Sequence, residues 1–217
     1  MKKTLPLLCV FSILMLCILA GCSNNDTFEQ KTFLSGEDII SSLVVDVTDR
    51  QLNISVSDDD QIHLEYYDGK KEFLNIKIEN NTLFVKLTFD KKWSDFLGKK
   101  AALDYRKIYL RIPSSITDIT VNSTNENITV TQLNTKNIYL SNVGGDIKLN
   151  KLNVEKEISI NVKNGDINGS VIGGYDDFAI TCTIKKGNSN LPAEKINGKK
   201  TLKTFCNNGD INIEFII

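Results

Sequence analysis

The sequence predicts an all-β chain, a single-domain β-solenoid whose short strands stack at about twenty residues per rung. Three observations predict it. Apolar and polar side chains alternate at period two through most of the chain after residue 40, the pattern of half-buried strands. Two aliphatic series recur in step. Ile128, Ile147, Ile167, Leu191 and Ile211 follow at spacings of 19, 20, 24 and 20, and Ile119, Ile138, Ile158, Ile180 and Leu202 at 19, 20, 22 and 22. Finally, the residues just before the first series are Asn127, Asp146, Asp166, Asn190 and Asp210, so an Asx corner returns at one phase.

Residues 1–21 read as a lipoprotein signal peptide. Lys2 and Lys3 precede an apolar run from Leu5 to Ala20 that is short for a spanning helix, which wants about 20 apolar residues. Leu19-Ala20-Gly21-Cys22 resembles the lipobox of bacterial lipoproteins. The resemblance implies that Cys22 receives the lipid, palmitate included, and becomes the first residue of a protein anchored to the bacterial cell membrane on its extracytoplasmic side. An uncleaved signal anchor is the alternative. Two or three acyl chains anchor stably where one is marginal. Residues 22–35 then form the lipidated Cys and a polar tether. Removing residues 1–21 takes two Lys and no acid, leaving 24 basic against 27 acidic residues.

Residues 36–217 form the β domain. In its first half Leu43-Val45-Val47, Leu52-Ile54-Val56, Ile62-Leu64-Tyr66, Leu74-Ile76-Ile78 and Leu83-Val85-Leu87-Phe89 each place apolar groups on one strand face. In its second half the corner carries Glu126, Gly145, Gly165, Ser189 and Gly209 one residue before the Asx position. Glycine tolerates positive φ there and Asx side chains bond local amides. A unit of this size cannot bury its own apolar face, whereas neighbours stacked about 4.7 Å apart can. An antiparallel sandwich of hairpins is the competing arrangement, because Asn-Gly-Asp is also a hairpin signal.

The strands, Leu110-Arg111-Ile112-Pro113 and the recurring Asn-Gly-Asp-Ile of Asn164–Ile167 and Asn208–Ile211, with Gly-Gly-Asp-Ile at Gly144–Ile147, resemble the putative-adhesin domain of bacterial envelope proteins. That resemblance spans roughly residues 40–217. It implies a β-helical fold, brings no catalytic residues, and departs from the pattern at Glu126, Ser189 and the segment Lys91–Lys107.

In that segment Trp93, Phe96 and Leu97 share one face of a helical turn among basic residues. They suit an anchor over a sheet edge, or a contact with anionic lipid or cell-wall polymer. Phe215 and Ile217 end the chain on an apolar strand, an edge that either packs under an N-terminal strand or is open to self-association or to a partner.

Composition narrows the chemistry. There are 26 Ile and 23 Asn against three Pro and one His, and 26 basic residues against 27 acidic. That balance offers no basic stripe for nucleic acid, and a lone His leaves little for a zinc site or a His-dependent triad. His63, between Ile62 and Leu64, projects to the face opposite the apolar one. Asp58-Asp59-Asp60 lacks the spacing of a calcium loop and reads as a solvated turn. The Asp ladder serves turn amides, chelation being the rarer use, so neither a metal nor a cofactor is expected. Asp176 and Asp177 point apart if that stretch is a strand and do not pair for glycoside cleavage. Cys182 and Cys206, the thiols left outside the signal peptide and Cys22, form either one disulfide or two buried small hydrophobes.

The sequence therefore points to a surface lipoprotein that acts, without catalysis, as an adhesin-like binding or scaffold module for a cell-wall polymer or envelope protein. A membrane-tethered accessory or sensor subunit of an envelope-stress system, engaging one protein, is the rival. A carbohydrate-active β-helix enzyme is a distant third.

Overall fold

Alternating side chains dictate strands with one buried face, and the chain follows that rule almost throughout. The computed structural model describes residues 27–90 and 100–217. In chain order the strands are β1 (Glu29–Leu34), β2 (Ser42–Asp46), β3 (Gln51–Val56), β4 (His63–Asp68), β5 (Glu72–Glu79), β6 (Thr82–Phe89), β7 (Lys107–Ile112) and β8 (Asp118–Ser123). They continue as β9 (Ile128–Thr131), β10 (Asn134–Gly144), β11 (Ile147–Asn164), β12 (Ile167–Ile172), β13 (Phe178–Ile184), β14 (Glu194–Lys195), β15 (Lys200–Asn208) and β16 (Ile211–Ile216). Cys22, expected from the sequence to carry lipid, and the Trp93, Phe96 and Leu97 face lie outside the described residues. Residues 29–34, within the stretch read as a tether, form β1, which pairs with β4.

The strands make one large curled, all-β sheet. Its first layer runs β1-β4-β7-β3-β9-β11-β12-β16 and its second β5-β6-β2-β8-β10-β11-β15-β13-β14. The 18-residue β11 belongs to both, pairing through Ile147–Asn150 with β9 and through Asn153–Asn164 with β10. Described pairs through the middle of each layer are parallel; β1–β4, β4–β7, β5–β6 and β13–β14, toward the ends, are antiparallel.

The two aliphatic series become two rows across the layers. Leu43, Ile119, Ile138, Ile158, Leu202 and Ile180 stand in register in the second layer. Leu52, Ile128, Ile147, Ile167 and Ile211 do so in the first. All are buried, and each aliphatic side chain so buried contributes about 1.5–3 kcal/mol. At one corner the buried Arg50 meets buried Glu72 at 2.9 Å, and its other nitrogen reaches the Asp49 carbonyl at 3.2 Å. The pair ties the β2–β3 corner to the start of β5; desolvation offsets much of its Coulomb energy, so its effect is on register.

Two expectations need correction. Leu191 does not join the first-layer row, because Ser189 is the residue bridged to Ile211. Nor do coils stack everywhere in chain order. The coil containing β15 and β16 lies between β11–β12 and β13, since β15 pairs with both β11 and β13. At the other end β2 lies between β6 and β8, and β3 between β7 and β9. Skipping a coil needs a step of only about two strand spacings, roughly 10 Å, which a few residues of connector cover. Sequence periodicity sets a coil's phase and leaves its place in the stack open.

Gly145, Gly165, Gly209 and Gly187 form a column at the corner, with φ of 119°, 143°, 146° and 131°. A Cβ on Gly165 would land on the Gly145 carbonyl, one on Gly209 on the Gly165 carbonyl, and one on Gly187 on the Gly209 carbonyl. Gly165→Ala therefore combines a strained φ with a backbone clash. Chemical denaturation should show a loss of at least about 2 kcal/mol.

Candidate functional site

The Asx corner is a hydrogen-bonded ladder. The Asp146 amide donates to Asn127 Oδ1 at 2.8 Å, the Asp166 amide to Asp146 Oδ1 at 3.0 Å, and the Asp210 amide to Asp166 Oδ1 at 2.8 Å. The next step is taken by Asn188, whose amide donates to Asp210 Oδ1 at 2.7 Å. Four of the five expected residues thus form the column, and Asn190 does not. Lys186-Gly187-Asn188 is the true corner of that coil. The motif reading slipped by two residues because Ser189-Asn190-Leu191 repeats the small-Asx-apolar pattern. Each of these Oδ1 atoms serves an amide that the corner would otherwise leave without a partner. Among the described residues no cluster of three or more His, Cys, Asp or Glu groups could hold a metal ion.

Asn190 has a different task. Its Nδ2 donates to the Ile213 carbonyl at 2.8 Å, and the Ile213 amide donates to its Oδ1 at 3.0 Å. This pair is the one a peptide group of a further strand would make. Backbone pairing of Asn188 and Asn190 with Ile211 precedes it, and Pro192 follows two residues later. A side-chain amide thus extends the cover on β16 where the chain turns away. The C-terminal strand is flanked by β12 on one side and covered on the other as far as Ile213, so the open edge expected from the sequence is closed in part. Phe215 packs against Tyr175 and Phe178, with ring centroids 5.4 and 5.3 Å apart, while Ile217 is exposed.

Outward-facing positions build a second kind of row. In the first layer Glu65, Tyr109, Asn53, Thr129, Lys148, Asn168 and Asn212 stand in register, one per strand. Around Tyr109, 47% exposed, the surface dips into a groove of about 320 Å³ lined by Asn53, Glu65, Arg111, Thr129 and Thr131. Arg111 Nη2 lies 3.4 Å from Glu65 Oε1. The outer face of the second layer centres on Tyr139, in register with Thr120 and Ser159 and continuing to Val44 and Phe84. Beside Tyr139, Asn137 Nδ2 donates to Asp118 Oδ1 at 2.8 Å. That bond, with the Thr117 hydroxyl, holds the Asp118 carboxyl below the usual carboxylate range. The sequence reading missed both tyrosines. Tyr109 was legible as the outward position of the alternation Ile108-Tyr109-Leu110, a large aromatic where a strand ordinarily spends a polar residue.

Other sequence candidates resolve into structure. His63 Nε2 meets Asp59 Oδ1 at 2.8 Å. That contact, with the Gln61 amide and Ser57 hydroxyl, holds the exposed Asp59 carboxyl down at about 2. Asp58–Asp60 is an exposed turn. Asp176 and Asp177 lie in a 3-10 turn, where Asp177 accepts the Gly174 amide at 2.8 Å. Cys182 and Cys206 are buried free thiols, two residues out of register, since Cys182 faces Thr204 and Cys206 faces Ile184. Burial pushes the Cys206 thiol up. No described helix is long and apolar enough to cross a membrane.

A family model described as Toastrack DUF4097 matches residues 40–214. The chain belongs to that family. As a Toastrack DUF4097 protein it shares its fold with the crystal structure of a "putative cell adhesion protein" from Clostridium sporogenes. That structure superposes with a TM-score of 0.60 at 12% identity, covering 88% of this chain and 100% of the other. A "putative adhesin" from Bacteroides fragilis superposes with a TM-score of 0.44 at 14% identity, covering 87% and 97%. A search of curated proteins finds no match.

Asp166→Ala removes the acceptor for the Asp210 amide and should cost about 1–3 kcal/mol in denaturant melts, whereas Asp166→Asn keeps the acceptor and should stay within about 0.5 kcal/mol of the wild type. Asn190→Ala uncovers the Ile213 amide and carbonyl. Light scattering should then show mass rising with concentration through β16, while the wild type stays constant.

Proposed function

We propose that this Toastrack DUF4097 chain is a lipid-anchored, non-enzymatic binding module, displayed outside a bacterial membrane, that holds an envelope polymer on its outer polar faces. The first-layer row from Glu65 through Tyr109 to Asn212 carries the reading. It sets one side chain per strand on a solenoid-like frame whose spacing is set by backbone hydrogen bonds, so little order has to be gained on binding. The groups in the groove suit recognition: its carboxylate, Glu65, lies beside Arg111 and is not poised against a second acid for proton transfer.

The lipobox-like Leu19–Cys22 supports the anchor. The Phe28 ring stacks on Tyr105 with centroids 5.2 Å apart, so the spacer from Cys22 to Thr27 reaches at most about 20 Å. A domain on so short a leash rides close to the bilayer and to whatever polymer lies against it. The sheet's kinship in fold with a structure described as a "putative cell adhesion protein" agrees with a binding role.

In cells given labelled palmitate, the wild type should take up label and Cys22→Ser should not, leaving the variant in the soluble fraction. Crosslinking on intact cells should give a heterogeneous, protease-resistant smear of high mass. A single discrete adduct would instead favour the accessory subunit with one protein partner.

A further inference from the structure

We propose that the groove around Tyr109 is a saccharide subsite, holding one uncharged pyranose residue of a glycan chain against the tyrosine ring. The inference rests on the binding-module reading and names its ligand class.

Four observations lead there. Tyr109 is nearly half exposed toward one end of a polar row, between Glu65 and Asn53, and an aromatic face in that position is a flat apolar platform with a polar rim, matched to the C–H face of a sugar ring. The groove's volume of about 320 Å³ takes one hexose with its hydroxyls, at the small end for a ligand site. Asn53 stands beside the ring on the adjacent strand and Thr129 one strand further on, both lining the groove, and they offer donors and acceptors to neighbouring hydroxyls. Arg111 and Glu65 sit 3.4 Å apart and cancel each other's charge, so the groove favours neither a phosphate nor a cationic peptide; a neutral polyol complements it.

The row continues past the groove. Thr129, Lys148, Asn168 and Asn212 follow at strand spacing, about 4.8 Å, which is close to the length one pyranose adds to an extended chain. A glycan lying across the strands therefore meets a new polar side chain with each sugar. The second layer makes the contrast: beside Tyr139 the hollow is smaller, about 210 Å³, and carries the two acids Asp118 and Glu157.

The test is titration calorimetry of the full-length protein in detergent with cellohexaose and with chitohexaose. Saturable binding of either supports the subsite, provided that Tyr109→Ala weakens it by about tenfold or more, that Tyr109→Phe stays within about twofold of the wild type, and that Tyr139→Ala changes nothing. Circular dichroism checks that each variant is folded; Thr129→Ala, which should also weaken binding, decides the matter if Tyr109→Ala is not. No saturable heat with either hexasaccharide at millimolar concentration, an unchanged Tyr109→Ala, or an equal loss in Tyr139→Ala overturns the proposal. Failure of both sugars while the crosslinked polymer smear persists would sink the subsite alone; loss of the smear as well would sink the binding-module reading.

Discussion

Among the described residues five successive corners, at Asn127, Asp146, Asp166, Asp210 and Asn188, lie one over another, and each works only if the coil beside it turns at the same place. The Asx oxygen of one coil accepts the amide of its neighbour, and each glycine in the column leaves room for the carbonyl beside it. Neither contact exists within a single coil. The corner is therefore a constraint between coils: it aligns the strands entering and leaving it, and the registers of both layers follow. Once register is set, alternation does the rest, sending Leu, Ile and Val inward and Asn, Thr and Lys outward without further specification.

That division of labour governs what the molecule can do. Inner rows are committed to burial, and their volume has to be matched coil by coil. Outer rows carry no such duty, and their residue types can vary while the frame persists. A tyrosine nearly half exposed in such a row is informative for that reason, since the frame gives no cause to place it there. The second layer's outer face, with Val44 and Phe84 in its row, differs enough from the first to make the two faces chemically distinct surfaces on one scaffold.

The ends of the stack follow another rule. Antiparallel pairs stand toward both ends, where β1 and β4 continue the first layer and β5 and β14 lie at the outer positions of the second. Asn190 covers part of β16 with a side-chain amide in place of a peptide group. A parallel stack has no natural stopping point, and unpaired strand groups at its ends are a standing invitation to further strands. Hairpins and a side-chain plug answer that problem with a few local residues.

Much of this was legible from residue order alone. Period-two alternation marked the strands, the Ile and Leu series marked both inner rows, and four of the five Asx positions landed in the ladder, because burial and corner geometry are imposed on each coil separately and leave a local signature. Asn190 and Leu191 were misassigned because a two-residue slip preserves the small-Asx-apolar pattern, and only pairing with β16 tells the two registers apart. By itself, then, the sequence determined most of the strand content, the inward and outward faces and the phase of four of the five corners. Tertiary structure alone decided the order in which coils stack, the covering of β16 and the gathering of Glu65, Tyr109, Arg111 and Thr129 into one groove. These come from strands far apart in the chain, brought together by hydrogen bonds between backbones, which are the same whatever the side chain and so leave no mark in the residue order.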